Sequence, residues 1–310
     1  MSKSLDRLTL LQTFIRIADA GSISAAARDL GLSQPSVSRQ LAELESRFQA
    51  QLMRRTTHTL SLTEAGKELL ADARRLLDDW EALEEKHLNL EATLRGNLKI
   101  VAPVALGQRQ LADIAFQFQQ QHPQLSLTWI LQDSDIRFAE VGCDCWIKIG
   151  PISDESLVVE PLGQVERMLV AAPKFVEKYG LPKMPAMAQP AKGIAQKLPY
   201  VALSPFEGAQ IPLHNADKKT VTITPSVHMN TNNIFALHRA TLAGLGMSIM
   251  PKWFIQQDLK TGQLFDLLPD WRAPSLTVHV ASLPGRHRPY RLRSFLELLR
   301  TSLPALLDNL

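Results

Sequence analysis

Cysteine is all but missing from this chain: among 310 residues only Cys143 and Cys145 carry a thiol. Neighbours on one strand do not reach disulfide geometry, so a disulfide-stapled secreted scaffold is excluded and a reducing cytoplasm is the expected compartment. Long apolar runs are missing too. Asp6, Arg7, Arg16 and Asp19 interrupt the opening stretch, which is therefore expected to be neither a signal peptide nor a membrane span, and no membrane partner is expected. Charge of one sign is scarce. A formal net charge of +3 is too small for wholesale polyanion binding, so any contact with nucleic acid must be local. There is no internal repeat.

Signatures of catalysis are absent as well. The chain has no nucleophile elbow, no H-E-x-x-H and no phosphate loop, and its eight histidines are scattered. Gly244-Leu245-Gly246 has Ile249 where a dinucleotide fingerprint needs its third glycine, and it follows a helical pattern instead of opening one. It reads as a helix end and a tight turn. Cys143-Asp144-Cys145 has no second pair near it in sequence and reads as reduced strand cysteines, not as a metal or redox site. No enzyme, cofactor or metal is expected.

What the chain does have is a 45% hydrophobic content over a length that suits two or three folded domains. Its basic excess is local. Residues 1–62 hold eight basic side chains against five acidic, whereas residues 63–95 hold five against nine. The first segment suits docking on a polyanion and the second does not.

Within residues 21–63 a helix over 24–30 is closed by Gly31 and Leu32, and Ser33 is placed to cap a second helix whose first turn accepts Pro35. Leu8, Leu11, Phe14, Ile15 and Ala18 form the face of a helix packing in front of them. In the second helix Val37, Leu41, Leu44 and Phe48 point inward, leaving Gln34, Ser36, Ser38, Arg39 and Gln40 outside. Amides, hydroxyls and a guanidinium at a helix N-terminus suit base edges in the major groove of double-stranded DNA. An ordinary helical hairpin with a polar face is the alternative. Next, residues 52–62 form two β-prone arms around a polar tip, a wing whose Arg54, Arg55 and His58 can reach phosphates or the minor groove.

SQPSVSRQLAELE, the wing and LTEAGKELL, in that order and spacing, resemble the DNA-binding half of LysR-type transcriptional regulators. The resemblance continues more weakly through Gly96-Asn97-Leu98-Lys99-Ile100, residues 144–150, Leu169-Val170-Ala171-Ala172-Pro173 and Ala243-Gly244-Leu245-Gly246-Met247 with Pro251. It implies a winged helix-turn-helix over 1–62, a linker and dimerisation helix over 63–95, and an α/β effector domain of two lobes similar to a solute-binding protein.

Residues 63–95 carry Leu69, Leu76, Leu83 and Leu90 every seven residues, with Ala73, Trp80 and His87 between them. Such a seam is expected to pair with a second copy, giving a dimer or tetramer; lying on its own chain is the alternative. The resemblance implies the same pairing, through Leu69, Leu76, Trp80, Leu83 and Leu90.

Beyond Gly96, short apolar strands alternate with helices, which predicts α/β layers with largely parallel sheets. Strands are expected at 98–102, 125–131, 145–149, 167–172, 200–203, 226–229, 247–250 and 276–282, and helices at 108–121, 135–140, 174–179, 232–244, 251–259 and 288–300. Residues 181–199, rich in Pro, Ala and Lys, read as a loop. By the resemblance, 96–165 with 270–310 form one lobe and 166–269 the other, with crossovers near 161–167 and 268–275.

A small-molecule effector is then expected between the lobes, at strand ends and helix starts, where unpaired N–H groups favour anions. Pro103 and Val104, Lys148, Ser204, and Asn230 and Thr231 occupy those places. They suit an effector with an acidic or hydrogen-bonding group. The family commonly has Arg at the place of Lys148 and a small residue at that of Trp146, so Trp146 is expected to narrow the cleft. The overall reading is a sequence-specific DNA-binding regulator switched by an effector; the alternative is a ligand-independent DNA binder whose C-terminal domain serves only oligomerisation.

Overall fold

Serine hydroxyls set the first turns of the chain. The computed structural model describes residues 6–55, 60–88, 94–180, 198–205, 210–284 and 288–308. After α1 (Arg7–Ala20), the Ser22 hydroxyl accepts the Ala25 N–H at 3.4 Å and opens α2 (Ile23–Asp29). The Ser33 hydroxyl accepts the Ser36 N–H at 3.3 Å and opens α3 (Gln34–Phe48), with Pro35 in the first turn, where no N–H is needed.

These helices enclose Leu10, Phe14, Ile17, Ala26, Val37, Leu41 and Leu44. Burial of each Leu or Phe contributes about 1.5–3 kcal/mol against exposure. Three expectations change here. The inward face of α1 turns toward Leu10 and Ile17, leaving Leu8, Ile15 and Ala18 half-buried. Gln40 faces inward, three residues after Val37, and its Oε1 accepts the Thr13 hydroxyl. Phe48 is 52% exposed, because α3 ends there and its last turn overhangs the core.

The wing is an antiparallel pair, β1 (Met53–Arg55) and β2 (Leu60–Leu62), with Met53 opposite Leu62. Glu45 pins it to α3, for one carboxylate oxygen accepts both the Leu52 and Met53 N–H groups, at 2.8 and 3.1 Å. Thr63 then caps α4 (Glu64–Leu88): its Oγ1 accepts the Gly66 N–H at 3.0 Å and donates to the Gln51 carbonyl at 2.6 Å. Gly66 has to be small. A Cβ there would lie 2.1 Å from the Leu52 carbonyl oxygen. The helix was expected to run to residue 95, but Leu94 and Arg95 are not helical, and Leu94 packs into the core of the domain that follows.

That domain runs through β3 (Gly96–Ala102), α5 (Val104–Gln108), α6 (Gln110–Gln121), β4 (Leu125–Leu131), α7 (Phe138–Val141), β5 (Cys145–Ile149) and β6 (Val158–Ala171). It continues through α8 (Pro173–Tyr179), β7 (Pro199–Leu203), β8 (Ile211–His214), β9 (Thr220–Ile223), β10 (Ser226–Thr231) and α9 (Ile234–Leu242). β11 (Ser248–Pro251), α10 (Lys252–Thr261), β12 (Phe265–Asp266), β13 (Ala273–Ser282) and α11 (Tyr290–Asp308) complete it.

Its main sheet has the order β11-β6-β13-β5-β3-β4, with β12 also on β6. Parallel pairing was expected to dominate, yet only β3 with β4 and β3 with β5 are parallel in this sheet. Of the residues read as crossovers, 161–167 lie within β6, and β13 begins at Ala273 inside 268–275. β6 and β13 run antiparallel from Val158 opposite Ser282 to Arg167 opposite Ala273, so one long ribbon passes through the whole domain. The hairpin β8-β9 was not foreseen. Turn Gly244 to Gly246 follows α9 as expected, and a Cβ on Gly246 would lie 2.8 Å from the Pro199 carbonyl oxygen.

Candidate functional site

Two places bring the singled-out residues together. On α3 the core side of the helix, held by Val37, Leu41 and Leu44, fixes which side faces out. Gln34, Pro35 and Arg39 are exposed there and Ser36 and Ser38 half-exposed, with the Ser33 and Ser36 hydroxyls 2.8 Å apart. Arg54 is exposed on β1. The side chains of Arg55 and His87, together with His58 and Leu90, lie outside the described residues, as do 181–197.

The second place is a cleft of about 610 Å³, a size that suits a small organic ligand. Pro103, Lys148 and Ser204 line it, as the sequence suggested. The other three expected residues do not. Val104 has its N–H bonded to Asp133 Oδ1 at 2.9 Å. Asn230 and Thr231 were expected to head a helix, but β10 extends through both, so Asn233 caps α9 and Asn232 is the neighbour that reaches the cleft. Thr231 Oγ1 is engaged by the Asn233 N–H at 3.2 Å.

Trp146 is corrected too. It is buried with Val101, Phe138 and Cys143 beneath Lys148, whose Nζ sits 5.2 Å from the indole centroid, and it does not line the cleft. Lys148 also pairs with Asp135 at the cleft wall. The sequence reading missed Asp133, Asp135 and Trp253, all of which line the cleft. Asp133 and Asp135 sit in or beside the segment read as a helix over 135–140; the helix forms only at Phe138–Val141. The cleft walls desolvate the Asp133 carboxyl and raise its pKa above the usual value, against the lowering effect of the Val104 N–H.

The cysteines sit away from this cleft. Burial, with Asp144 beside it, pushes the Cys143 thiol up to about 12, and burial takes Cys145 well above its ordinary value. Both are therefore thiols, with little nucleophilic character. Among the described residues no group of three His, Cys, Asp or Glu side chains is arranged to hold a metal ion.

A third feature is the outer face of α4. Leu69 packs on the helix-turn-helix core and Ala73 is buried in it, so these seam positions serve their own chain. Leu76, Trp80 and Leu83 are 50%, 44% and 42% exposed. Leu76 shares a groove with Leu10, Leu11, Leu44 and the overhanging Phe48. Two residues before Leu76, Arg74 pairs with Asp19 of α1 and lies against Gly142, just before β5. The linker helix thus touches the C-terminal domain directly. Among the described residues no helix is long and apolar enough to cross a membrane.

Comparison with known proteins agrees on both halves. A family described as "Bacterial regulatory helix-turn-helix protein, lysR family" matches residues 8–67, and "LysR substrate binding domain" matches residues 91–304. The chain is 27% identical to the HTH-type transcriptional regulator PtxR of Pseudomonas aeruginosa, over 98% of this chain and 96% of the relative. It is 29% identical to an HTH-type transcriptional regulator of Xanthomonas campestris pv. campestris, over 94% and 83%. The crystal structure of ArgP from Mycobacterium tuberculosis shares the fold, with TM-score 0.64 at 19% identity over 97% of this chain and 99% of that one.

Proposed function

The chain belongs to the LysR-type transcriptional regulators, with a DNA-binding helix-turn-helix and a substrate-binding domain, and from that premise we propose how its surfaces divide the work. α3 reads operator bases in the major groove through Gln34, Ser36, Ser38 and Arg39, with Pro35 fixing the start of the helix and the wing Arg54, Arg55 and His58 on phosphates or the minor groove. The observation that carries this is the sorting of α3, whose apolar side is sealed in the core while its polar N-terminal side is exposed.

The regulator acts in the cytoplasm as a dimer or tetramer in this reading. Leu76, Trp80 and Leu83, with Phe48 and, further along, Leu90, meet a second copy. An exposed apolar stripe of this kind on a long helix supports pairing. Residues 1–62, 63–95 and 96–310 then serve as reader, coupler and sensor, the sensor having one lobe of 96–165 with 270–310 and another of 166–269.

A small-molecule effector occupies the cleft. The cleft volume favours this over a C-terminal domain used only for assembly. A ligand that prefers one lobe arrangement shifts the population toward it. β5 supports a route outward: Lys148 at its end lines the cleft, and its start follows Gly142, against which Arg74 of the linker helix rests. Half-site spacing then changes with effector.

The test is a thermal-shift screen of metabolites on the full chain, followed by footprinting on the operator with and without each hit. Hits that raise the melting temperature are expected to alter the protected span. Hits that leave every footprint unchanged would separate ligand binding from DNA binding and contradict the coupling.

A further inference from the structure

The cleft was read from sequence as a site for a ligand with an acidic or hydrogen-bonding group, and the charges that line it favour the second. Lys148 is the only cation lining it among the described residues, whereas Asp133 and Asp135 both line it. The ammonium is already committed, to the Asp135 carboxylate and the face of Trp146. Lys148 keeps further N–H donors, but a ligand carboxylate on it would bring a third carboxylate beside Asp133 and Asp135. Repulsion among like charges at close range disfavours that arrangement, although solvent screens the exposed Asp133 and Asp135 in part.

Asp133 is differently placed. Its Oδ1 accepts the Val104 N–H, and Oδ2 meets no donor among the described residues. A carboxylate can accept several bonds, so this one has capacity directed at whatever fills the cleft. An independent feature belongs to the same cavity. Trp253, only 5% exposed, lines the cleft, and its indole N–H meets no acceptor among the described residues. Buried indole N–H groups normally have a partner. Much of the remaining wall is apolar, from Ala105, Ile149, Leu203, Ile234 and Pro251, with Ser204 and Asn232 beside them.

Building on the effector reading above, we propose that the cleft selects a small amine with an apolar body, its ammonium on Asp133 and an acceptor atom on the Trp253 indole N–H, and that it rejects free carboxylic acids. Lys148 then acts as a positioning residue. By holding Asp135 it keeps the second carboxylate from competing for the ammonium, and it leaves Asp133 as the recognition point.

The test uses the full-length protein and three probes that share one body and differ in head group: 2-phenylethylamine, 2-phenylethanol and phenylacetate. Calorimetry at neutral pH is expected to rank the amine first, by about tenfold or more over phenylacetate, the ratio set by one charge-assisted bond. Asp133→Asn retains the acceptor for Val104 and should erase that ranking without changing the far-ultraviolet circular dichroism. Trp253→Phe should weaken 2-phenylethanol and phenylacetate, whose oxygens can accept from the indole N–H, and leave 2-phenylethylamine, whose ammonium cannot, unaffected. Phenylacetate ranking first, with its binding lost in Lys148→Met, would overturn the amine assignment while keeping the cleft as the effector site. Amine binding that Asp133→Asn leaves intact would overturn it as well. No saturable binding by any of the three would overturn the amine assignment, while the metabolite screen decides the effector reading separately.

Discussion

Arg39 stands on the exposed side of α3 and Arg54 on the first strand of the wing, and their contributions to DNA affinity are expected to differ in kind. In the proposed reading Arg39→Ala loses a base contact and should lower specific affinity by about 1–3 kcal/mol, relaxing preference at one base position. In the same reading Arg54→Ala loses a phosphate contact and should weaken binding to all sequences, reducing the salt slope by about one unit. Titration of specific and scrambled duplexes at several salt concentrations separates the two; identical behaviour would contradict the assignment. Gly66 makes a purely structural prediction. Because a Cβ there meets the Leu52 carbonyl, Gly66→Ala must push the wing from the linker helix, at a cost of about 1–3 kcal/mol typical of overpacking. A urea midpoint equal to that of the wild type would refute the close-approach argument.

The elements differ in how plainly the sequence announces them. α3 was legible because its start carries a hydroxyl cap and its apolar residues follow one face. Its limits were less so: Gln40 looks polar yet bonds Thr13 inside the core, and Phe48 looks apolar yet lies past the last supported turn. Periodicity counts residue types and is blind to such pairings. The β8-β9 hairpin went unread because Pro212 interrupts an otherwise alternating strand, as a proline can on an edge strand. In the cleft, Pro103, Lys148 and Ser204 were legible as strand ends, whereas Asp133 and Trp253 come from a loop and a helix start that only the tertiary fold brings together. For the linker helix, the heptad was visible but its rotation was not. Leu69 and Ala73 belong to their own chain, so the pairing prediction rests on Leu76, Trp80 and Leu83. Leu76→Asp with Leu83→Asp should lower the sedimentation mass of the full chain and abolish tight binding to a duplex with two half-sites. Unchanged mass together with unchanged binding would assign the stripe another role.

At the scale of the whole molecule, the β6-β13 ribbon and α11 hold the C-terminal domain together. Glu160 on β6 ties them, accepting from Arg300 Nε at 3.2 Å and from Arg288 at 3.1 Å. Burial raises its pKa, but the Arg300 and Arg288 bonds outweigh that and leave it below the ordinary value. A folded pKa below the unfolded one contributes stability above the unfolded value, and that contribution disappears as pH falls through the folded value. Melting curves should therefore show Glu160→Gln less stable than wild type near neutrality, with the gap closing below about pH 4, the unfolded carboxylate range. A gap that widens on acidification would reverse the sign of the argument.

The central claim is that α3 makes this regulator read sequence, and selection from a random duplex pool by the full-length protein tests it most directly. Wild type should enrich a motif of two half-sites related by a two-fold axis, and Arg39→Ala should lose preference at one position within each half-site. A pool that remains random after selection, or a motif that Arg39→Ala leaves intact, would contradict the account.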